Sequence, residues 1–293
     1  MDGVFRTPEE RFDGLWGEVA YAEVDGLRIA RHDEGAGPPV VFFHGEPTWS
    51  YLWREVIPPV RDAGHRCIAP DLPGFGRSDK PLDLDWYTYD RHVAVMAGLL
   101  EPLGLRGGTA VVHDWGGPIG LRLAVEHPGW FDRLVILDTG LFTRRQAMSD
   151  AWRAFRDFVE RTEDLPISML VRGATARGLS DADAAAYDAP FPTPASKAGA
   201  RAFPLMLPTR ADAAGAAAGQ RVLDALRADD RPALCLWADG DPVLSLSTGR
   251  RFAAACGLPD PEVVGDASHF LQEDAGEQIG RRIAAWLHVE RTA

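Results

Sequence analysis

Along the chain, short apolar runs bounded by turn residues alternate with longer stretches in which apolar positions recur every three or four residues. Runs of the first kind suit strands buried on both faces, and stretches of the second kind suit helices with one apolar side. Their alternation predicts a doubly wound, mostly parallel α/β sheet. Strands are expected at 19–24 and 27–31, around the pair Asp25-Gly26, and at 40–43, 67–69, 110–112, 134–137, 233–236 and 262–264. The Asp-Gly pair marks a hairpin, so the sheet should open with two antiparallel strands. Helices are expected near 53–63, 89–103, 119–126, 246–255 and 275–289, the last with Ile279, Ile283 and Leu287 on one stripe facing the sheet.

The rhythm breaks after Gly140. Residues 141–230 are rich in alanine and other helix formers and carry no strand pattern, which predicts a helical cap inserted into a main domain made of 1–140 and 231–293. Within it, 213–218 should be an alanine helix.

Charge narrows the partners. Thirty-one Lys and Arg against 43 Asp and Glu leave a net charge of −12, with no basic run, which argues against nucleic acid, anionic membranes and strongly anionic ligands. A small neutral organic substrate remains open. Three cysteines, Cys67, Cys235 and Cys256, cannot complete a disulfide framework and sit among apolar or alanine-rich neighbours, the setting of buried thiols, so a cytoplasmic location is expected. The first residues are charged throughout, unlike a signal peptide, and no stretch approaches the ~18 apolar residues of a membrane span. A monomer or weak homo-oligomer is the expected state.

The strongest chemical feature is His113-Asp114-Trp115-Gly116-Gly117, between an apolar strand and an apolar helix. It occupies the place of a nucleophile elbow, a strained strand-to-helix corner backed by the positive end of a helix, and it has Asp114 where serine is usual. Acyl transfer by serine is therefore not expected. A carboxylate is already ionised at neutral pH and can displace a leaving group from saturated carbon, leaving an alkyl ester on the protein. Water must then attack that ester, which requires a general base and an oxyanion hole aimed at Asp114.

Both have candidates. His269, in the loop between the last strand and the last helix, is placed to act as the base, since the order nucleophile, acid, histidine fits an α/β-hydrolase. The segment His44-Gly45-Glu46-Pro47 follows the 40–43 strand, so the backbone amides of Glu46 and Trp115 are the expected oxyanion donors. Two aspartates end strands and could orient His269: Asp241, after the penultimate strand, is preferred, and Asp138 is the alternative.

Four stretches together carry a resemblance: His44 to Arg54 (HGEPTWSYLWR), Asp71 to Lys80 (DLPGFGRSDK), His113 to Gly117 (HDWGG) and Ser268 to Asp274 (SHFLQED). They resemble the haloalkane dehalogenase family of α/β-hydrolases over nearly the whole chain, and Tyr187 to Pro192 with 198–204 is similar to that family's cap. The resemblance implies hydrolysis of a carbon–halogen bond in a small haloalkane to alcohol, halide and proton, with no cofactor and no metal. It matches Asp114 to the nucleophile, His269 to the base, Asp241 to the acid and Trp115 to the residue whose indole N–H binds the departing halide. An indole suits that task, being a donor without a competing acceptor. Members usually have a second halide donor, an asparagine at the position of Glu46 or a tryptophan in the cap. An ionised Glu46 offers none, and segment 169–176 has no tryptophan; Trp152, the cap's only one, reads as packing.

Rivals are an epoxide hydrolase and a ligand receptor on a hydrolase scaffold. The first shares the Asp/His/Asp logic but needs acidic cap donors, typically two tyrosines, and the cap has Tyr187 alone. The second is disfavoured by the complete set of Asp114, His269 and Asp241. Gly74 to Asp79 lacks the third glycine of a dinucleotide fingerprint, and the eight histidines show no metal-ligand spacing.

Overall fold

A computed structural model describes residues 3–143, 148–208 and 215–289. Eight strands form one sheet: β1 (Val19–Val24), β2 (Leu27–Glu34), β3 (Pro39–Phe43), β4 (Arg66–Pro70), β5 (Gly108–Asp114), β6 (Phe131–Thr139), β7 (Ala233–Ala238) and β8 (Glu262–Val264). Their spatial order is β1-β2-β4-β3-β5-β6-β7-β8. β1, β2 and β4 pair antiparallel, and every pairing from β4 to β8 is parallel. The opening hairpin turns on Asp25 and Gly26 with φ of 51° and 75°. That left-handed pair matches the right-handed twist of the strands it joins.

Ten α-helices accompany the sheet among the described residues: α1 (Ile57–Asp62), α2 (Tyr89–Leu100), α3 (Gly116–Glu126), α4 (Asp150–Arg161), α5 (Ile167–Gly173), α6 (Asp181–Asp188), α7 (Ala198–Met206), α8 (Ala216–Leu226), α9 (Leu246–Cys256) and α10 (Leu271–Val289). Because side chains alternate along a strand, β3, β5 and β6 feed two separate cores. Val41, Phe43, Val112 and Ile136 join one with α2, α3 and α9, while Val40, Phe42, Val111 and Leu137 join the other with α1 and α10. The stripe Ile279, Ile283 and Leu287 lies buried in the second.

Two helices depart from the pattern read in the sequence. The helix expected over 53–63 is two pieces, a 3₁₀ turn at Ser50–Trp53 and α1, because Pro58 and Pro59 lack amide hydrogens and are tolerated only in a helix's first turn. The last helix starts at Leu271, four residues before the expected 275, and bends at Ala275, whose φ is −142°. Helices α4 to α8 lie between β6 and β7 in the chain. α4 packs on α7 and α5 on α6, whereas α8 rests against α3 and α9. Ala216–Ala218 of the alanine-rich segment open α8; residues 213 and 214 lie outside the described residues. Cys67, Cys235 and Cys256 are buried free thiols, and no described helix is long and apolar enough to cross a membrane.

Candidate active site

β5 ends on Asp114, whose φ of 47° lies in the left-handed region, and α3 begins two residues later. That conformation costs a non-glycine residue roughly 1–2 kcal/mol and persists only where its surroundings enforce it. Two glycines permit the crowding that enforces it. A β-carbon at Gly45 would collide with the Asp114 carboxylate, and one at Gly116 with the backbone carbonyls of Phe43 and His44. The loop after β3 and the elbow after β5 can therefore close upon each other.

As a result the Asp114 carboxylate meets backbone donors. Its Oδ1 accepts from the Glu46 amide at 2.8 Å, and the Trp115 amide also stabilises the charged carboxylate. Thr139 Oγ1 donates to the Asp114 carbonyl at 2.5 Å, anchoring the corner to the end of β6. The side chain keeps 18% exposure, so Oδ2 remains reachable. Facing Oδ2 at 3.6 Å is Nε2 of His269, and its Nδ1 donates to Asp241 Oδ2 at 2.8 Å. Asp241 Oδ1 in turn accepts from the amides of Val243 at 2.6 Å and Leu244 at 2.9 Å. The structure thus brings Asp114, His269 and Asp241 into one line and pairs His269 with Asp241 rather than Asp138.

Electrostatics follow from burial among opposite charges. Burial pushes the His269 imidazolium down, but the Asp241 charge and hydrogen bond, with the Asp114 carboxylate 3.6 Å from Nε2, more than reverse this, so it titrates well above the usual histidine range. Burial likewise pushes Asp241 and Asp114 up, and His269 outweighs it in both, leaving Asp241 at about 2 and Asp114 below the usual carboxylate value. Asp138 is the opposite case: fully buried and close to the Asp241 charge, its carboxyl is pushed well up and stays protonated, with Oδ1 accepting from the Ala238 amide at 3.0 Å. Asp138, Asp241 and His269 each place one potential ligand atom within 4.8 Å of the others. The histidine nitrogen and ionised carboxylate in that trio already face each other, and the third member is a neutral acid.

Glu46 differs from the sequence expectation. Burial and the neighbouring Asp114 charge push its carboxyl well up, against the opposing pull of His269, and so favour the neutral acid, the form that can donate a proton. Its Oε1 is buried and meets no hydrogen-bond partner among the described residues. The expectation that Glu46 offers no donor took the side chain as ionised, and its burial beside Asp114 works against that form. Trp115, 5% exposed, caps α3 with its indole against Phe142 and Phe203, at ring distances of 4.5 and 5.1 Å. Trp152 is buried at the start of α4, the helix packed on α7, from which Phe203 projects.

Sequence reasoning missed two supporting residues. His113 is fully buried and pushed down to about 4 by burial and by His269, so it is neutral, and its Nε2 donates to the His269 carbonyl at 2.8 Å. Asp274 binds the amide of Ser268, next to His269. Only their places inside the motifs, adjacent to Asp114 and five residues beyond His269, could have drawn attention to them.

A strand-borne carboxylate at a strand-to-helix elbow, facing a carboxylate-held histidine across a doubly wound sheet, defines an α/β-hydrolase with an aspartate at the elbow. In agreement, residues 38–276 match the family model described as the alpha/beta hydrolase fold. Relatives narrow this further. The haloalkane dehalogenase of Mycobacterium marinum is 41% identical over 97% of this chain and 99% of its own length, and haloalkane dehalogenase 1 of Mycobacterium tuberculosis is 41% identical over 97% and 98%. Haloalkane dehalogenase DpaA from Paraglaciecola agarilytica, solved as a tetramer, superposes with a TM-score of 0.88 at 34% identity over 95% of this chain and 97% of that one. The chain belongs to the haloalkane dehalogenase family.

Proposed function

We propose that the protein hydrolyses the carbon–halogen bond of small haloalkanes through an ester on Asp114. Oδ2 attacks the carbon that bears the halogen; the new C–O bond forms as the C–X bond breaks, and its electron pair leaves with the halide, solvated by the Trp115 indole N–H. Water then adds to the ester carbonyl while His269 Nε2 takes its proton. The oxyanion develops on Oδ1, which already accepts from the Glu46 amide, with the Trp115 amide as the second donor. Collapse releases the alcohol and returns Asp114 to a carboxylate, for a net yield of alcohol, halide and a proton.

The observation that carries this reading is the Asp114 carboxylate itself, with one oxygen on backbone donors and the other facing His269 Nε2. Alkylation also readies the base. While Asp114 is ionised, two carboxylates hold the His269 proton; once Asp114 is an ester, only Asp241 does, and the imidazolium releases its proton more easily.

Epoxide opening would call for an acidic donor over the site. The Tyr187 hydroxyl is fully buried and engaged with Glu273 Oε1 at 2.5 Å, which leaves it no proton for substrate. Incubating the protein with matched bromo-, chloro- and epoxyalkanes while following halide and pH tests the reading: halide release without epoxide opening is expected, and epoxide opening alone would overturn it.

Residues 141–230 are proposed to act as the cap over this site. Three buried thiols support a cytoplasmic location. The net charge of −12 favours a monomer or weak homo-oligomer through self-repulsion, which light scattering at low and high salt would test.

A further inference from the structure

We infer that the first turn of α10 is a clasp coupling the seating of the 174–177 loop to the position of His269, with Asp274 as its positioning residue. The inference rests on the role of His269 proposed above.

The Asp274 side chain is almost fully buried, and backbone amides from two directions converge on it. Oδ2 accepts from the Ser268 amide at 2.9 Å. The Ala176 amide reaches both oxygens, at 3.0 and 2.9 Å, and the Arg177 amide reaches Oδ1 at 2.9 Å. On the other side of His269, the Phe270 amide donates to the Ala174 carbonyl at 3.1 Å. Both residues flanking the base are thus tied to one short segment between α5 and α6. The neighbouring Glu273 reinforces the tie, accepting from Arg54 at 2.5 and 2.7 Å and from the Tyr187 hydroxyl on α6.

The base itself has two further holds, Asp241 on Nδ1 and His113 on its carbonyl. Neither belongs to residues 141–230. Asp274 is the group that ties the backbone beside His269 to the amides of the 174–177 loop. A displacement of that loop therefore drags the chain on both sides of His269, and Nε2 loses its line to the water above Asp114. Alkylation by Asp114 needs no such alignment. The clasp therefore controls the hydrolytic half of the cycle.

Asp274→Asn tests this, because the amide replaces one acceptor oxygen by an NH₂ that faces N–H donors. In single-turnover experiments with a bromoalkane, halide release should stay within threefold of the wild type while ester hydrolysis slows at least tenfold. The alkyl enzyme should then accumulate, with kcat and KM falling together. Wild-type hydrolysis in the variant, or an equal loss of both steps, overturns the inference. A second measurement uses the wild type alone: the amides of Ala176, Arg177 and Ser268 share one acceptor and should exchange hydrogen with one common opening constant. Independent exchange at Ser268 also overturns it. If the wild type releases no halide, the proposed function fails, and the exchange measurement still decides on the clasp.

Discussion

His269 is held at both ring nitrogens by carboxylates that play different parts, and this separates the two halves of the reaction at single residues. On the proposed route Asp114 attacks without help, so His269→Gln should still release one equivalent of halide from a bromoalkane and then stop. Mass spectrometry should show one alkyl mass added to the protein; no adduct from a protein whose wild type dehalogenates would mean that His269 is needed for the first step. Asp114→Ala should fold normally and lose turnover by at least ~10³-fold, as expected for a nucleophile, and retention of more than a few per cent of activity would rule out the ester. Glu46 calls for a subtler test. Burial favours the neutral form of Glu46, whose shape and charge Glu46→Gln keeps, so the alkylation rate should stay within about threefold and its acid limb, set by Asp114, should not move. An acid limb shifted to lower pH in the variant would show that an ionised Glu46 had been repelling Asp114.

Elements whose pattern is set by burial on both faces were readable from the sequence, and those set by a local exception were not. β3, β5 and β6 are apolar runs because each side of the sheet has its own core. The 53–63 region carries helical periodicity, yet Pro58 and Pro59 break it, since an absent amide outweighs apolar spacing. The early start of α10 was hidden because Leu271 to Asp274 read as loop beside His269 rather than as a first turn. The elbow offers a test at this scale. Gly116 lets α3 start against the end of β3, and a β-carbon there meets backbone, which cannot rotate away. Gly116→Ala should cost about 2 kcal/mol by overpacking, and by shifting the corner it should lower turnover ~100-fold. Denaturant unfolding and a halide assay would measure the two; activity near the wild type would mean that the corner tolerates displacement.

For the molecule as a whole, the site was legible where chemistry dictates residue type at a chain position, as with Asp114 at the elbow and His269 in the last loop. Between Asp138 and Asp241, chain position favoured Asp241 without excluding Asp138, because both end adjacent strands and the decision lies in three-dimensional reach. His269 lies 2.8 Å from Asp241, while Asp138 bonds to the Ala238 amide on the neighbouring strand and stays protonated. That arrangement sets how stability depends on pH. Asp241 is depressed from 3.8 to about 2, so it contributes about 2 kcal/mol that is fully present above pH ~4 and lost as pH falls through the folded value. His269 is shifted the other way: its contribution is complete below about pH 6.5 and is lost as pH rises through its elevated folded value. The contribution of this pair should therefore be level between about pH 4 and 6.5 and fall on both sides, read as the difference in thermal stability between the wild type and Asp241→Asn across pH. Asp241→Asn should remove the acid limb's dependence on this site and, by taking away the largest charge that holds the His269 proton, move the alkaline limb toward lower pH. An unchanged pH profile in that variant would mean that the Asp241–His269 pair is not the group that couples folding to protons.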